Sequence, residues 1–115
     1  MKVNQPSGDY QKNKNFKMIL KSEDIKKIVK AYFQDKPVHK VWLFGSYARG
    51  DADEDSDVDV LVDIDYSIPT GWGYFSWYQD LQEKLNKQVD VVSYKWMNQR
   101  LKPYIEKDMK LIYEK

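Results

Sequence analysis

Apolar positions recur along this chain with two periods, and the alternation between them outlines the elements. Ile25, Ile28, Val29, Tyr32 and Phe33 fall at i, i+3, i+4, i+7 and i+8, one stripe of an amphipathic helix. Ser22 is placed to cap it, Glu23 and Asp24 occupy its first turn, and it is expected to end near Asp35, before Lys36-Pro37. Val38–Phe44 is rich in β-branched and aromatic residues and stops at Gly45, which predicts a strand. Over Asp57–Ile64 the period changes to two: Val58, Val60 and Val62 point one way, and Asp57, Asp59, Leu61 and Asp63 the other. Pro69, Gly71 and Gly73 mark a loop over 67–73. Tyr74–Lys87 returns to helical spacing, with Tyr74, Trp77, Tyr78, Leu81 and Leu85 on one face. Gln88–Ser93 is a short strand, with Val89 and Val91 facing opposite to Asp90 and Val92. Trp96–Lys107 predicts a last helix, burying Leu101 and Ile105 and kinked at Pro103, and Lys110–Tyr113 a closing strand. This order implies an α/β domain with a small mixed sheet. Too few connections carry crossover helices for a long doubly wound sheet.

The 115 residues suit one domain, and 42% apolar with 32% charged residues is an ordinary globular composition. Residues 1–20 are polar and lysine-rich around Pro6-Ser7-Gly8 and are expected to form a flexible or loosely docked arm before a domain over 21–115. There is no cysteine, which excludes disulfides, thiolate zinc sites, iron–sulfur clusters and a cysteine nucleophile. No apolar run could span a membrane, and Met1–Pro6 has no secretory apolar region, so a cytoplasmic setting is expected. The net charge of +1 conceals an asymmetry: residues 51–65 hold eight acids and no Lys or Arg, leaving 19 basic and 10 acidic residues elsewhere. Concentrated carboxylates on a basic body suggest a cation site beside a surface for anions.

The chemistry concentrates in Leu43–Gly50 and Ser56–Asp63. A strand running into Gly45-Ser46 lets backbone amides approach phosphate oxygens, and Ser46 adds a hydroxyl. Asp57 and Asp59, two apart on a strand, put carboxylates on one face with α-carbons roughly 6.5–7 Å apart. Such a pair repels unless a proton or cation lies between, and oxygen ligands without His or Cys select magnesium, with manganese the alternative. Asp90 faces the same way if Val89 and Val91 share the core with Val58 and Val60. Three carboxylates on neighbouring strands make a two-metal site that clamps the attacking and leaving oxygens of a phosphoryl displacement. Gly45 and Gly50 have the spacing of a P-loop, but Asp51-Ala52 stands where Lys and Ser/Thr are required. An EF-hand loop from Asp51 would have Ser56 and Val62 where Gly and Glu belong.

Gly45-Ser46, ten residues, then Asp57-x-Asp59 resembles the signature of the DNA polymerase β-type nucleotidyltransferase superfamily, and the run through Asp63 resembles its minimal nucleotidyltransferases. The resemblance implies the nucleotidyltransferase fold and transfer of a nucleotidyl group from an NTP, with loss of pyrophosphate. Carried over by position, Gly45 and Ser46 hold the β- and γ-phosphates, Asp57 and Asp59 bind both of two magnesium ions, and Asp90 completes the second site and helps deprotonate the acceptor. Arg49 either reaches the phosphates or pairs with a carboxylate to brace the turn. Minimal members lack a second substrate domain and typically pair with a HEPN-domain protein as antitoxins, moving AMP from ATP to a tyrosine of the toxin. That is the leading expectation. A small-molecule nucleotidyltransferase completing its site as a homodimer, and an antitoxin acting by contact alone, are the alternatives. Direct nucleic-acid binding is not expected, because no basic helix or RNA-binding aromatic motif is present. Ser56 is expected to brace the turn. The aromatics Trp72, Tyr74, Phe75, Trp77 and Tyr78 divide between core packing and the rim of a pocket or interface.

Overall fold

A computed structural model describes residues 18–68 and 73–115. Their elements are α1 (Ser22–Phe33), β1 (Val38–Phe44), the single turn α2 (Ser46–Arg49), β2 (Val58–Ile64), α3 (Gly73–Leu85), β3 (Val89–Ser93), α4 (Lys102–Asp108) and β4 (Lys110–Glu114). The strands form one mixed sheet in the order β3-β2-β1-β4. β1 runs antiparallel to both β2 and β4, and β2 runs parallel to β3 through the α3 crossover. The expected arm, apart from residues 18–20, and positions 69–72 of the expected loop lie outside the described residues.

The period-2 pattern of β2 is what sorts the two faces. Val58, Val60 and Val62 are fully buried, as are Val41 and Leu43 of β1, and Val89 and Val91 of β3 are buried with them. Onto them pack Ile25, Val29 and Phe33 of α1, Tyr47 and Ala48 of α2, and Trp77, Leu81 and Leu85 of α3. Phe33 meets Trp77 edge to face at 5.4 Å between ring centres. Leu20 packs on this core and its N–H donates to the Tyr47 hydroxyl. Asn86, at φ +51°, ends α3 in the left-handed conformation. The opposite face carries a smaller cluster of Leu61, Met97 and Ile105, flanked by Trp42, Phe44, Val92, Tyr94 and Met109. The helices therefore lie mainly on one face, and α4 alone closes part of the other.

Three local expectations need correction. Ser22 is the first helical residue, after an extended Lys21, and its hydroxyl donates to the Tyr47 carbonyl rather than capping. The last helix begins at Lys102, with turns before it. Pro103 sits in its first turn, where the missing N–H costs no hydrogen bond, so it starts the helix and does not kink it. Leu101 is 53% exposed; Met97 and Ile105 fill the cluster without it.

Candidate functional site

The strand register lines up the chemistry. Phe44, the last residue of β1, lies opposite Asp59 of β2, and Asp59 lies beside Asp90 of β3. Paired neighbours project from the same face, so Asp59 and Asp90 share the side on which Leu61 pairs with Val92. α4 packs on this face through Ile105, in the cluster with Leu61. Asp57 precedes the first residue of β2 and is exposed, as is Asp90; Asp59 is half-buried between them.

One residue beyond Phe44 the chain bends through Gly45, at φ +75° and ψ −156°, a region essentially reserved for glycine. A Cβ here would overlap the Asp59 carboxylate oxygen Oδ2. The absence of a side chain thus lets the bend close onto the acid. Ser46 follows as the first residue of α2, half-buried. Gly50, at φ +86°, closes that single turn and its N–H donates to the Ser46 carbonyl. The bend therefore abuts Asp59 and, through the strand register, has one strand between it and Asp90, although Asp90 is far away in sequence.

The electrostatics follow from this crowding. Burial, then the charges of Asp90 and Asp57, push the Asp59 carboxyl up to about 6, and Arg49 opposes the shift only partly. Like charges that cannot all ionise comfortably are a place where a cation is welcome. All three side chains offer hard oxygen ligands, which fits magnesium or manganese. Among the described residues, no three carboxylate or imidazole groups are drawn together around a metal-sized position. Asp90 is instead engaged at Oδ1, where the Tyr78 hydroxyl donates at 3.0 Å.

Arg49 is held by two carboxylates in this geometry. Its Nε donates to Asp51 at 3.1 Å and its Nη1 to Asp108 at 3.0 Å, so it braces the turn against the end of α4. Ser56 braces as expected: its hydroxyl accepts the Asp53 N–H at 2.9 Å and donates to the Asp53 carboxylate. The aromatic run divides. Trp77 is buried, while Phe75 is 67% exposed; Trp72 lies outside the described residues. His39 is exposed, 3.8 Å from Asp65.

Several contributors were not legible in the chain. Lys87 is only 2% exposed, and its ammonium donates to the Glu54 carbonyl at 2.7 Å, pinning the acidic loop beside the site. Asp108, 59 positions from Arg49 in sequence, anchors the turn from the end of α4. Three tyrosine hydroxyls line the outer edge of β3: Tyr78 on Asp90, Tyr74 on the Val91 carbonyl and Tyr66 against Ser93. Burial first, then the Asp90 contact, raises the Tyr78 hydroxyl above its ordinary value. Helical spacing puts Tyr74 and Tyr78 on one face with Trp77; only the fold reveals where their hydroxyls end.

Comparison with known proteins gives a consistent result. The family model described as "Polymerase beta, Nucleotidyltransferase" matches residues 23–115. A Methanocaldococcus jannaschii protein, provisionally named a protein adenylyltransferase, is 37% identical over 91 residues, covering 76% of this chain and 85% of that one. The "Protein adenylyltransferase MntA" of Thermococcus cleftensis is 37% identical over 78 residues, covering 64% of this chain and 78% of that one. A solved complex of a tri-AMPylated Shewanella oneidensis HEPN toxin with MNT antitoxin is similar in fold, with a TM-score of 0.63. Its identity is 18%, over 82% of this chain and 73% of that one.

Proposed function

The chain belongs to the polymerase β nucleotidyltransferase family, as a minimal nucleotidyltransferase, and from that premise we propose that it transfers AMP from ATP to a tyrosine hydroxyl of a HEPN-type toxin and so acts as the antitoxin of the pair. The adenylyl group and the protein acceptor are supported by the names of its relatives, and the HEPN partner by the Shewanella oneidensis complex. In this reading the catalytic domain spans 21–115 and works in the cytoplasm, which the cysteine-free composition suits. Among the described residues no helix is long and apolar enough to cross a membrane.

The observation that carries the reading is the row across three strands: the Gly45-Ser46 bend, then Asp59, then Asp90. In the proposed roles, backbone and hydroxyl at Gly45 and Ser46 hold the β- and γ-phosphates of ATP. Asp57, Asp59 and Asp90 are the residues that would hold two magnesium ions. Bound there, such ions supply charge stabilisation at the reacting phosphate and lower the pKa of the acceptor hydroxyl. The chain's own contribution is placement. The bend closes onto Asp59, Lys87 and Ser56 hold the acidic loop against the row, and Arg49 locks α2 to the end of α4. Asp90, at the open end, accepts the acceptor's proton.

The test is transfer from α-labelled ATP, with magnesium, to a HEPN-domain protein. Label on a tyrosine of that protein supports the proposal. Label on a small acceptor, or tight association without label, would replace it with a small-molecule transferase or a contact-only antitoxin.

A further inference from the structure

The carboxylate assigned to the acceptor's proton already carries a hydroxyl of the right kind. Tyr78 reaches from α3 around the free edge of the sheet and donates to Asp90 Oδ1 at 3.0 Å. The side chain is neither sealed in the core nor free of the fold: the residue is 36% exposed. Its position relative to the bend matters more. Adjacent strands lie about 4.8 Å apart, so the Gly45 bend and the Tyr78–Asp90 pair flank Asp59 by roughly one strand spacing on either side. A phosphorus seated over Asp59 would have its leaving group on the side of the bend and a phenolic oxygen on the other. An in-line displacement requires that order. Fixing the nucleophile on the same chain also removes the entropic cost of bringing in a second molecule.

We propose that Tyr78 is itself an acceptor, and that the chain adenylylates its own Tyr78 hydroxyl from ATP; the inference rests on the transferase reading above. Tyr78 Oη forms a bond to the α-phosphorus of ATP. The bond from that phosphorus to the oxygen bridging toward the β-phosphate breaks, and pyrophosphate leaves with its electrons. The proton of Oη passes to Asp90 Oδ1. The product is a phosphodiester on Tyr78 that occupies the mouth of the site, so the reaction stops at one adenylyl group per chain.

The full chain, incubated with ATP and magnesium, is read by intact-mass and peptide mass spectrometry. The expected result is one adenylyl group per chain, mapped to Tyr78 in the unaltered protein, so the assignment needs no variant. Tyr78→Phe, with an unchanged urea midpoint, loses the label. Tyr74→Phe, one helical turn away, keeps the wild-type extent. A label that maps to another residue, or survives Tyr78→Phe undiminished, overturns the inference. Adding the HEPN-domain protein separates the two claims. Label on that protein with none on Tyr78 overturns self-modification and leaves the proposed function standing, whereas no label on either overturns both.

Discussion

Replacing Gly45 with alanine tests the bend and the acid row together. The new Cβ meets two penalties. The backbone at φ +75°, ψ −156° is costly for any residue with a side chain, about 1–3 kcal/mol. The Cβ also overlaps Asp59 Oδ2, with the carboxyl carbon at 3.1 Å, and pushing that half-buried group aside adds roughly 1–3 kcal/mol. Gly45→Ala is therefore expected to cost about 2–6 kcal/mol in urea unfolding and to abolish transfer, because the displaced carboxylate leaves the row. The two penalties separate in a double-mutant cycle. In an Asp59→Ala background only the Cβ of residue 59 remains near, at 3.4 Å, an ordinary contact. There the glycine substitution should cost only the backbone share, giving a coupling of about 1–3 kcal/mol between the sites. Equal costs in both backgrounds would refute the contact between bend and acid. A Gly45→Ala protein with wild-type stability would refute the backbone argument as well.

Asp59→Asn should abolish adenylyl transfer yet stabilise the fold. A carboxyl raised from 3.8 to about 6 binds its proton more tightly when folded, so the wild type loses stability as pH rises through that interval and carries the full cost above it. Discounted for its partial exposure, the gain in Asp59→Asn is about 1–2 kcal/mol at pH 7.5 and vanishes below about pH 4, read from urea midpoints; a gain that persists in acid would contradict it. Leu81→Ala, in the fully buried face of α3, should cost about 2–5 kcal/mol, and a midpoint within error of wild type would place α3 wrongly. Tyr32→Phe removes a 2.6 Å hydrogen bond to Asp80 between α1 and α3 and should cost about 1–2 kcal/mol, an effect that should disappear in an Asp80→Ala background. Chelating divalent metal should stop transfer without changing the circular dichroism spectrum, because the sheet is built from apolar contacts on both faces.

The features legible in the sequence were those fixed by local periodicity or by chemistry at short spacing. The alternation of Val and Asp in β2 could satisfy a buried face only in one register, and that register determined the side on which Asp59 lies. Leu101 misleads. It falls at a helical interval from the buried Ile105, yet a proline that suits only a first turn starts the helix later, and Leu101 is left exposed. Ser22 misled because a distant partner, the Tyr47 carbonyl, outcompeted the cap. The reach of Tyr78 to Asp90, the buried Lys87 on Glu54 and the bond from Arg49 to Asp108 join elements remote in sequence. No local pattern encodes which of many tyrosines or lysines will arrive at a given acid.

The tyrosines along β3 also decide how this molecule can meet its neighbours. An outermost strand with bare amides and carbonyls invites a foreign strand to continue the sheet. Here one outward carbonyl, that of Val91, already accepts from Tyr74, and rings anchored at Asp90 and Ser93 stand on either side of it. A second chain arriving in extended form would have to strip away those contacts first. Association at that border is therefore steered toward side-chain recognition and away from strand addition.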